Sequence, residues 1–209
     1  MTSTMSPRRR NAEGAAAARA ARRTELLGTA AEVFAARGYA ATTVREVADA
    51  AGMLGGSLYY HFDSKESMID EILSGFLTAL WRDYDAVLAR GGGAEQTLRG
   101  LVTASFQAID RDRPAVVLYQ NEAKHLASNP RFGYLAESGA RFREMWTGLL
   151  EQGSRDGSFR ADLDAPVVYR FIRDTVWLAA GWYRPGGRLS PDEIAEQYLA
   201  LVLEGIRGR

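Results

Sequence analysis

The chain has no cysteine. That excludes disulfides, iron–sulfur clusters, thiol nucleophiles and zinc sites built on thiolates. Histidine is nearly absent as well: His61 and His125 are the only two, so no histidine-rich metal site is expected and no cofactor is read. Only two of the 26 basic residues are lysines, Lys65 and Lys124, a bias that a GC-rich genome accounts for. No stretch approaches the roughly 18 consecutive apolar residues of a membrane helix. The arginine-rich start runs into alanines and arginines over residues 11–23 rather than into an apolar signal core. The expected location is therefore the cytoplasm, with no membrane partner. There is no nucleophile elbow, phosphate loop or metal-spaced histidine set, so an enzyme is not expected. The carboxylate pairs Asp83/Asp85 and Asp162/Asp164 read as solvated groups.

What is present belongs to a folded chain. Of 209 residues, 46% are hydrophobic and 25% charged, a balance unlike that of disordered or fibrous sequences. The length allows one or two domains and needs no covalent staple. The net charge of zero hides an asymmetry. Residues 1–62 carry eight arginines against five acids, an excess of +3, which points to an anionic partner at that end.

Periodicity is helical almost throughout, with no alternating strand pattern and no internal repeat. Residues 1–18 read as a disordered basic arm. A first helix is expected over 20–37, with Leu26, Ala30 and Phe34 on one face and Gly38 ending it. Thr43 to Glu46 is a capping box that opens a second, short helix, stopped by Gly52. A third is expected over 55–61, with Leu58 and Phe62 one turn apart. Asp63 to Glu66 caps a fourth helix that runs to about residue 90. After Gly91-Gly92-Gly93 the boundary signals predict helices near 94–110, 114–127, 132–153, 165–183 and 191–206.

The second and third helices, joined through Ala51-Gly52-Met53, have the pattern of a helix-turn-helix, whose second helix enters a DNA major groove. On that helix Ser57, Tyr59, Tyr60 and His61 carry small or hydroxyl-bearing groups suited to phosphates and base edges. Gly55 and Gly56 allow close backbone approach. Lys65 and the exposed amides beside it suit a phosphate, and Arg8-Arg9-Arg10 suits phosphates or a minor groove. Glycine-linked short helices also occur in all-α proteins without a nucleic-acid partner, and adjacent tyrosines also pack half-buried. Spacing alone leaves both readings open.

Two runs carry a resemblance: Tyr39 to Gly52 (YAATTVREVADAAG) and Gly55 to Glu66 (GGSLYYHFDSKE). Together they resemble the DNA-binding domain of the TetR family of bacterial repressors. The resemblance implies an all-α fold: a three-helix helix-turn-helix domain (19–64) after the arm, then a helical ligand-binding and dimerisation domain (65–209). It implies that Thr43, Ser57, Tyr59, Tyr60, His61 and Lys65 approach double-stranded operator DNA, with Arg45, Gly55 and Gly56 beside them. One departure stands out. Met53-Leu54 occupy the place where the family has a small polar cap, and a missing cap costs about 1 kcal/mol.

The second half holds most of the aromatic residues. At helical spacing these are mainly packing. Around 165–183, Val168, Phe171, Ile172, Val176 and Ala179 form an apolar stripe, and Arg170 and Asp174 form an i,i+4 pair. Arg173 and Trp177 form another, a cation–π platform suited either to clamping a bulky anion or to fixing a dimer interface. Leu199, Val202 and Ile206 form a stripe suited to a helix–helix dimer. Residues 116–135 and 168–187 are similar to a narrower group within the family, the second of the cholesterol-catabolism repressors, which controls degradation of the last steroid rings. That similarity implies a homodimer whose effector is a CoA thioester of a two-ring steroid remnant with a propanoate chain. Arg173 and Trp177 match effector-binding positions there. Phe106, Tyr119, Phe142 and Trp146 (with Met145) are candidates for the apolar wall such a thioester needs. Other readings are a TetR-type repressor sensing a fatty acyl-CoA or a drug, and, in a different class, a helical acyl-CoA enzyme or carrier.

Overall fold

The computed structural model describes residues 7–208, with side chains from Gly14 onward. The described residues form eight α-helices and one short 3-10 turn: α1 (Pro7–Arg37), α2 (Val44–Ala50), α3 (Gly55–Leu58), α4 (Lys65–Ala89), α5 (Ala94–Leu126), the turn Pro130–Phe132, α6 (Gly133–Asp156), α7 (Ala165–Trp182) and α8 (Pro191–Ile206). Among them there is no strand, and no helix is long and apolar enough to cross a membrane.

The chain divides into two compact units, Met1–Ile72 and Leu73–Arg209. The division falls inside α4, later than the expected boundary at residue 64. The first unit is α1, α2, α3 and the start of α4. The expected face of α1 is its core: Leu26, Ala30 and Phe34 are fully buried, together with Val47, Ala48, Leu58, Met68 and Ile69. Helix α1 begins thirteen residues before residue 20, so residues 7–18 of the expected disordered arm are helical. Alanine and arginine are strong helix formers, and that tract extends the helix. Residues 1–6, and the side chains of Arg8-Arg9-Arg10, lie outside the described residues.

In the second unit α5 packs on α6, α7 and α8. The two helices expected across 94–127 are one helix with a kink. Asp112 leaves helical geometry (φ −128°, ψ 33°) two residues before Pro114, because proline lacks an N–H and its ring crowds the preceding turn. The kink is tied to the end of α7. The Arg113 Nε donates to the Ala180 carbonyl at 2.8 Å, and the Tyr183 hydroxyl donates to Asp110.

The C-terminus closes onto the α6–α7 connection. Arg160 N donates to Ile206 O (2.8 Å), and Gly208 N donates to Ser158 O (3.0 Å). Arg207 then reaches the Glu95 carboxylate with two bonds, at 2.8 and 3.1 Å. These bonds hold Glu95 below the ordinary glutamate range. Phe159 lies against the backbone of Gly153, where an added Cβ would meet the ring at 2.1 Å. Gly153→Ala is therefore expected to destabilise the chain by about 1–3 kcal/mol through overpacking, read as a lower midpoint in urea without a change in slope.

Candidate functional site

The first candidate surface is built on the turn between α2 and α3. Thr43 caps α2 as predicted. Its Oγ accepts from Glu46 N at 3.3 Å, and the Glu46 carboxylate accepts from Thr43 N at 2.8 Å. The Thr43 backbone and hydroxyl, with Arg37 behind them, hold that carboxyl below its usual range. Gly52 turns the chain at φ +65°, a conformation that favours glycine. Helix α3 is a single turn, shorter than the expected 55–61. Two glycines each weaken a helix by about 1 kcal/mol relative to alanine, and Leu54 provides no side-chain cap.

Burial divides this segment cleanly. Leu58 and Phe62 are buried, while Tyr60 is 90% exposed, Leu54 81% and Tyr59 58%. Thr43, Arg45 and Gly56 are also exposed, and Gly55, Ser57 and His61 are half-buried. An exposed aromatic pair beside an exposed leucine has no packing role within the unit. It is a surface available to a partner.

Lys65 is engaged differently from the sequence expectation. Its Nζ donates to the carbonyls of Tyr39 (2.9 Å), Thr42 (2.9 Å) and Ala40 (3.4 Å), and lies 4.5 Å from the centre of the Tyr39 ring. An ammonium has three donors, and all three point at backbone. In this structure Lys65 staples the α1–α2 turn. Arg23 has a comparable internal role that the sequence reading missed. It pairs with Glu71, donates to the His61 carbonyl and lies over the Phe62 ring at 4.3 Å. Arg23 contributes to the basic excess, but its guanidinium fixes the segment that follows α3. Its position four turns before Gly38 gave no hint of this contact.

The second candidate is a cavity of about 520 Å³ within the second unit, inside the usual range for small-molecule sites. Arg173, Trp177, Tyr119, Phe142 and Trp146 all line it, as expected. Phe106 does not. It is buried with its ring 5.8 Å from Tyr198. Its neighbour Ser105 lines the cavity, and one residue along a helix turns a side chain by about 100°. Phe106 therefore faces α8. Phe76, Leu80 and Tyr84 of α4 were missed, although their i, i+4, i+8 spacing is a readable stripe.

Arg173 does not stack on Trp177. It lies 5.6 Å over the Tyr169 ring and donates to Asp174 at 2.7 Å, which takes the place of the expected Arg170–Asp174 pair. Trp177 meets Phe76 edge to face at 6.2 Å. Lys124, Arg143 and Arg173 are exposed lining residues, so the mouth is cationic and the interior aromatic. Tyr84 is sealed beneath, its hydroxyl 2.6 Å from Ser105, and burial raises its pKa. On the far side of Phe142, Trp81 stacks at 4.2 Å, and Arg141 covers the other face of that indole at 3.7 Å.

The apolar stripe on α7 splits. Ile172, Val176 and Ala179 are core, whereas Phe171 is 68% exposed. Leu199 and Ile206, expected at a dimer face, are also core. The exposed apolar residues are instead Val167, Phe171, Leu178 and Trp182 of α7 and Leu201 of α8.

Comparison with known proteins agrees with both halves. Residues 26–72 match the family described as bacterial regulatory proteins, tetR family, and residues 91–206 match the tetracyclin repressor-like C-terminal domain. The chain is 57% identical over 185 residues to the HTH-type transcriptional repressor KstR2 of Rhodococcus jostii, covering 88% of this chain and 91% of that one. The solved ketosteroid transcriptional regulator KstR2 of Mycobacterium tuberculosis has 51% identity and a TM-score of 0.87, over 90% of this chain and 96% of that one. AibR, solved with isovaleryl coenzyme A and operator DNA, shares the fold at 22% identity and a TM-score of 0.74, over 86% and 97% of the two chains.

Two outcomes are expected from the reading segment. Lys65→Met should lower the thermal midpoint but leave the salt slope of DNA affinity unchanged, because a lost phosphate contact would reduce that slope by about one. Leu54→Ser supplies the missing cap in an extended backbone (φ −70°, ψ 138°) and should stabilise the first unit by about 1 kcal/mol, measured by chemical denaturation.

Proposed function

The chain belongs to the tetR family of bacterial regulatory proteins and is a DNA-binding transcriptional repressor, and from that premise we propose that it silences genes of steroid catabolism until a CoA thioester of a steroid ring remnant fills the 520 Å³ cavity. The observation that carries this reading is the high identity to KstR2 repressors along nearly the whole chain. It is supported by a cavity whose walls suit both ends of such a molecule. Phe76, Leu80, Trp146 and Trp177 offer an apolar bed for fused rings, and Lys124, Arg143 and Arg173 offer charge to the phosphates of CoA.

The active form is a homodimer acting in the cytoplasm. The exposed stripe of Val167, Phe171, Leu178 and Trp182, closed by a second copy, would bury side chains that otherwise face water. A two-fold dimer sets two α3 segments on successive major grooves of a palindromic operator, about 34 Å apart. Tyr59, Tyr60 and Arg45 meet the DNA, and Thr43 and the half-buried Ser57 and His61 complete the contact.

Release is a coupling between two ligands. Helix α4 lines the cavity with Phe76, Leu80 and Tyr84 and also supplies Lys65–Ile72 to the first unit. An effector that favours an altered packing of α4 disfavours the operator-bound state, and the antagonism is reciprocal. A coupling of about 1–3 kcal/mol weakens operator binding roughly 5–150-fold.

The test is an electrophoretic shift on the region upstream of this gene, titrated with CoA thioesters, free acids and drugs. Release by a bicyclic steroid-remnant thioester supports the reading; release only by fatty acyl-CoA or a drug removes the steroid effector. Arg173→Ala and Trp177→Ala are expected to retain operator affinity within about twofold and to lose release. Unchanged release would take both residues out of the site.

A further inference from the structure

The tyrosines of the second unit differ in what holds their hydroxyls. Tyr84 is bonded to Ser105, Tyr183 to Asp110 and Tyr198 to Thr175. Tyr169 is engaged by Arg173. Tyr119 lines the cavity, and its hydroxyl has no hydrogen-bond partner among the described residues. Its ring is fixed against Phe76 at 5.9 Å, so the hydroxyl is carried on a positioned ring in a largely apolar chamber. A donor left open in such surroundings is a strong selector, because a ligand without an acceptor leaves it unpaired.

We propose that the Tyr119 hydroxyl selects effectors by donating a hydrogen bond to a carbonyl oxygen on the apolar body of the ligand. This rests on the reading that the cavity takes the effector. The donor is a protonated phenol. Burial pushes the Tyr119 phenol up to about 12 and raises Tyr169 as well, so both stay protonated across physiological pH. The adjacent guanidinium of Arg173 is already matched by Asp174 at 2.7 Å. A ketone oxygen needs only the one proton that Tyr119 has free. The exposed Lys124 and Arg143 line the same cavity and take the anionic groups of such a ligand.

The experiment uses the full chain and a matched pair of bicyclic probes, 1-decalone and decalin, with affinity read from the fluorescence of the cavity tryptophans Trp146 and Trp177. Wild type is expected to bind the ketone about tenfold more tightly than the hydrocarbon. Tyr119→Phe, which removes one oxygen and keeps the ring, is expected to bind the two equally. Tyr198→Phe, whose lost hydroxyl belongs to Thr175, is expected to keep the preference and serves as the control for folding. The proposal is overturned if wild type shows no ketone preference or if Tyr119→Phe retains it. Operator release by CoA thioesters is scored separately. A ketone preference without release would overturn the effector reading and leave the Tyr119 donor standing.

Discussion

The reading surface depends on two side chains that point away from it. Leu58 and Phe62 are buried in the first unit, and their anchoring leaves Tyr59, Tyr60 and Leu54 nowhere to go but outward. A single turn of helix has no stability of its own, since nucleation alone is unfavourable. The turn is therefore held by its apolar contacts and by Arg23, which closes on the His61 carbonyl and the Phe62 ring. Upstream, Lys65 ties down three carbonyls of the α1–α2 connection. Two of the first unit's cations thus act on its own backbone or side chains, and the surface around α3 is aromatic as much as basic.

The second unit uses aromatic packing for a different end. A helical bundle normally fills its interior, and here α5, kinked at Asp112 and Pro114, lines a cavity on both sides of the kink, with Ser105 before it and Tyr119 and Lys124 after it. The rings around the cavity contact one another edge to face or stacked, from Phe76 through Trp177 and from Trp81 through Phe142 to Tyr84. Such contacts hold a wall open without placing polar groups in it, and the few polar groups that remain can discriminate between ligands.

Much of this was legible in the amino-acid order, and the failures have definite causes. The capping box at Thr43, the glycine stops and the proline starts are local chemistry, and local chemistry survives folding. The core faces of α1 and α2 follow from periodicity for the same reason. What depends on which neighbour a side chain meets was not readable. The three carbonyls around Lys65 come from Tyr39, Ala40 and Thr42, far earlier in the chain, a contact no local pattern announces. Phe106 and Ser105 differ by one position, and only the placement of α8 decides which of them sees the cavity. The expected stripe of Leu199 and Ile206 was real but faces the core, while Leu201 between them faces out. The arm was misjudged because charge was weighed above the helix-forming strength of alanine and arginine.

The uncapped start of α3 reaches beyond base reading. With one turn, two glycines and no side-chain cap from Leu54 at its head, this segment sits at the low end of the local opening scale, and its amides are expected to exchange with solvent well before those of α1 or α4. A partner that docks on α3 has to order a segment that is only marginally ordered by itself. Part of the association free energy therefore appears as lost chain entropy, and the heat capacity falls by more than contact area accounts for. Operator affinity in such a protein varies with temperature more steeply than in a relative whose reading helix carries a polar cap.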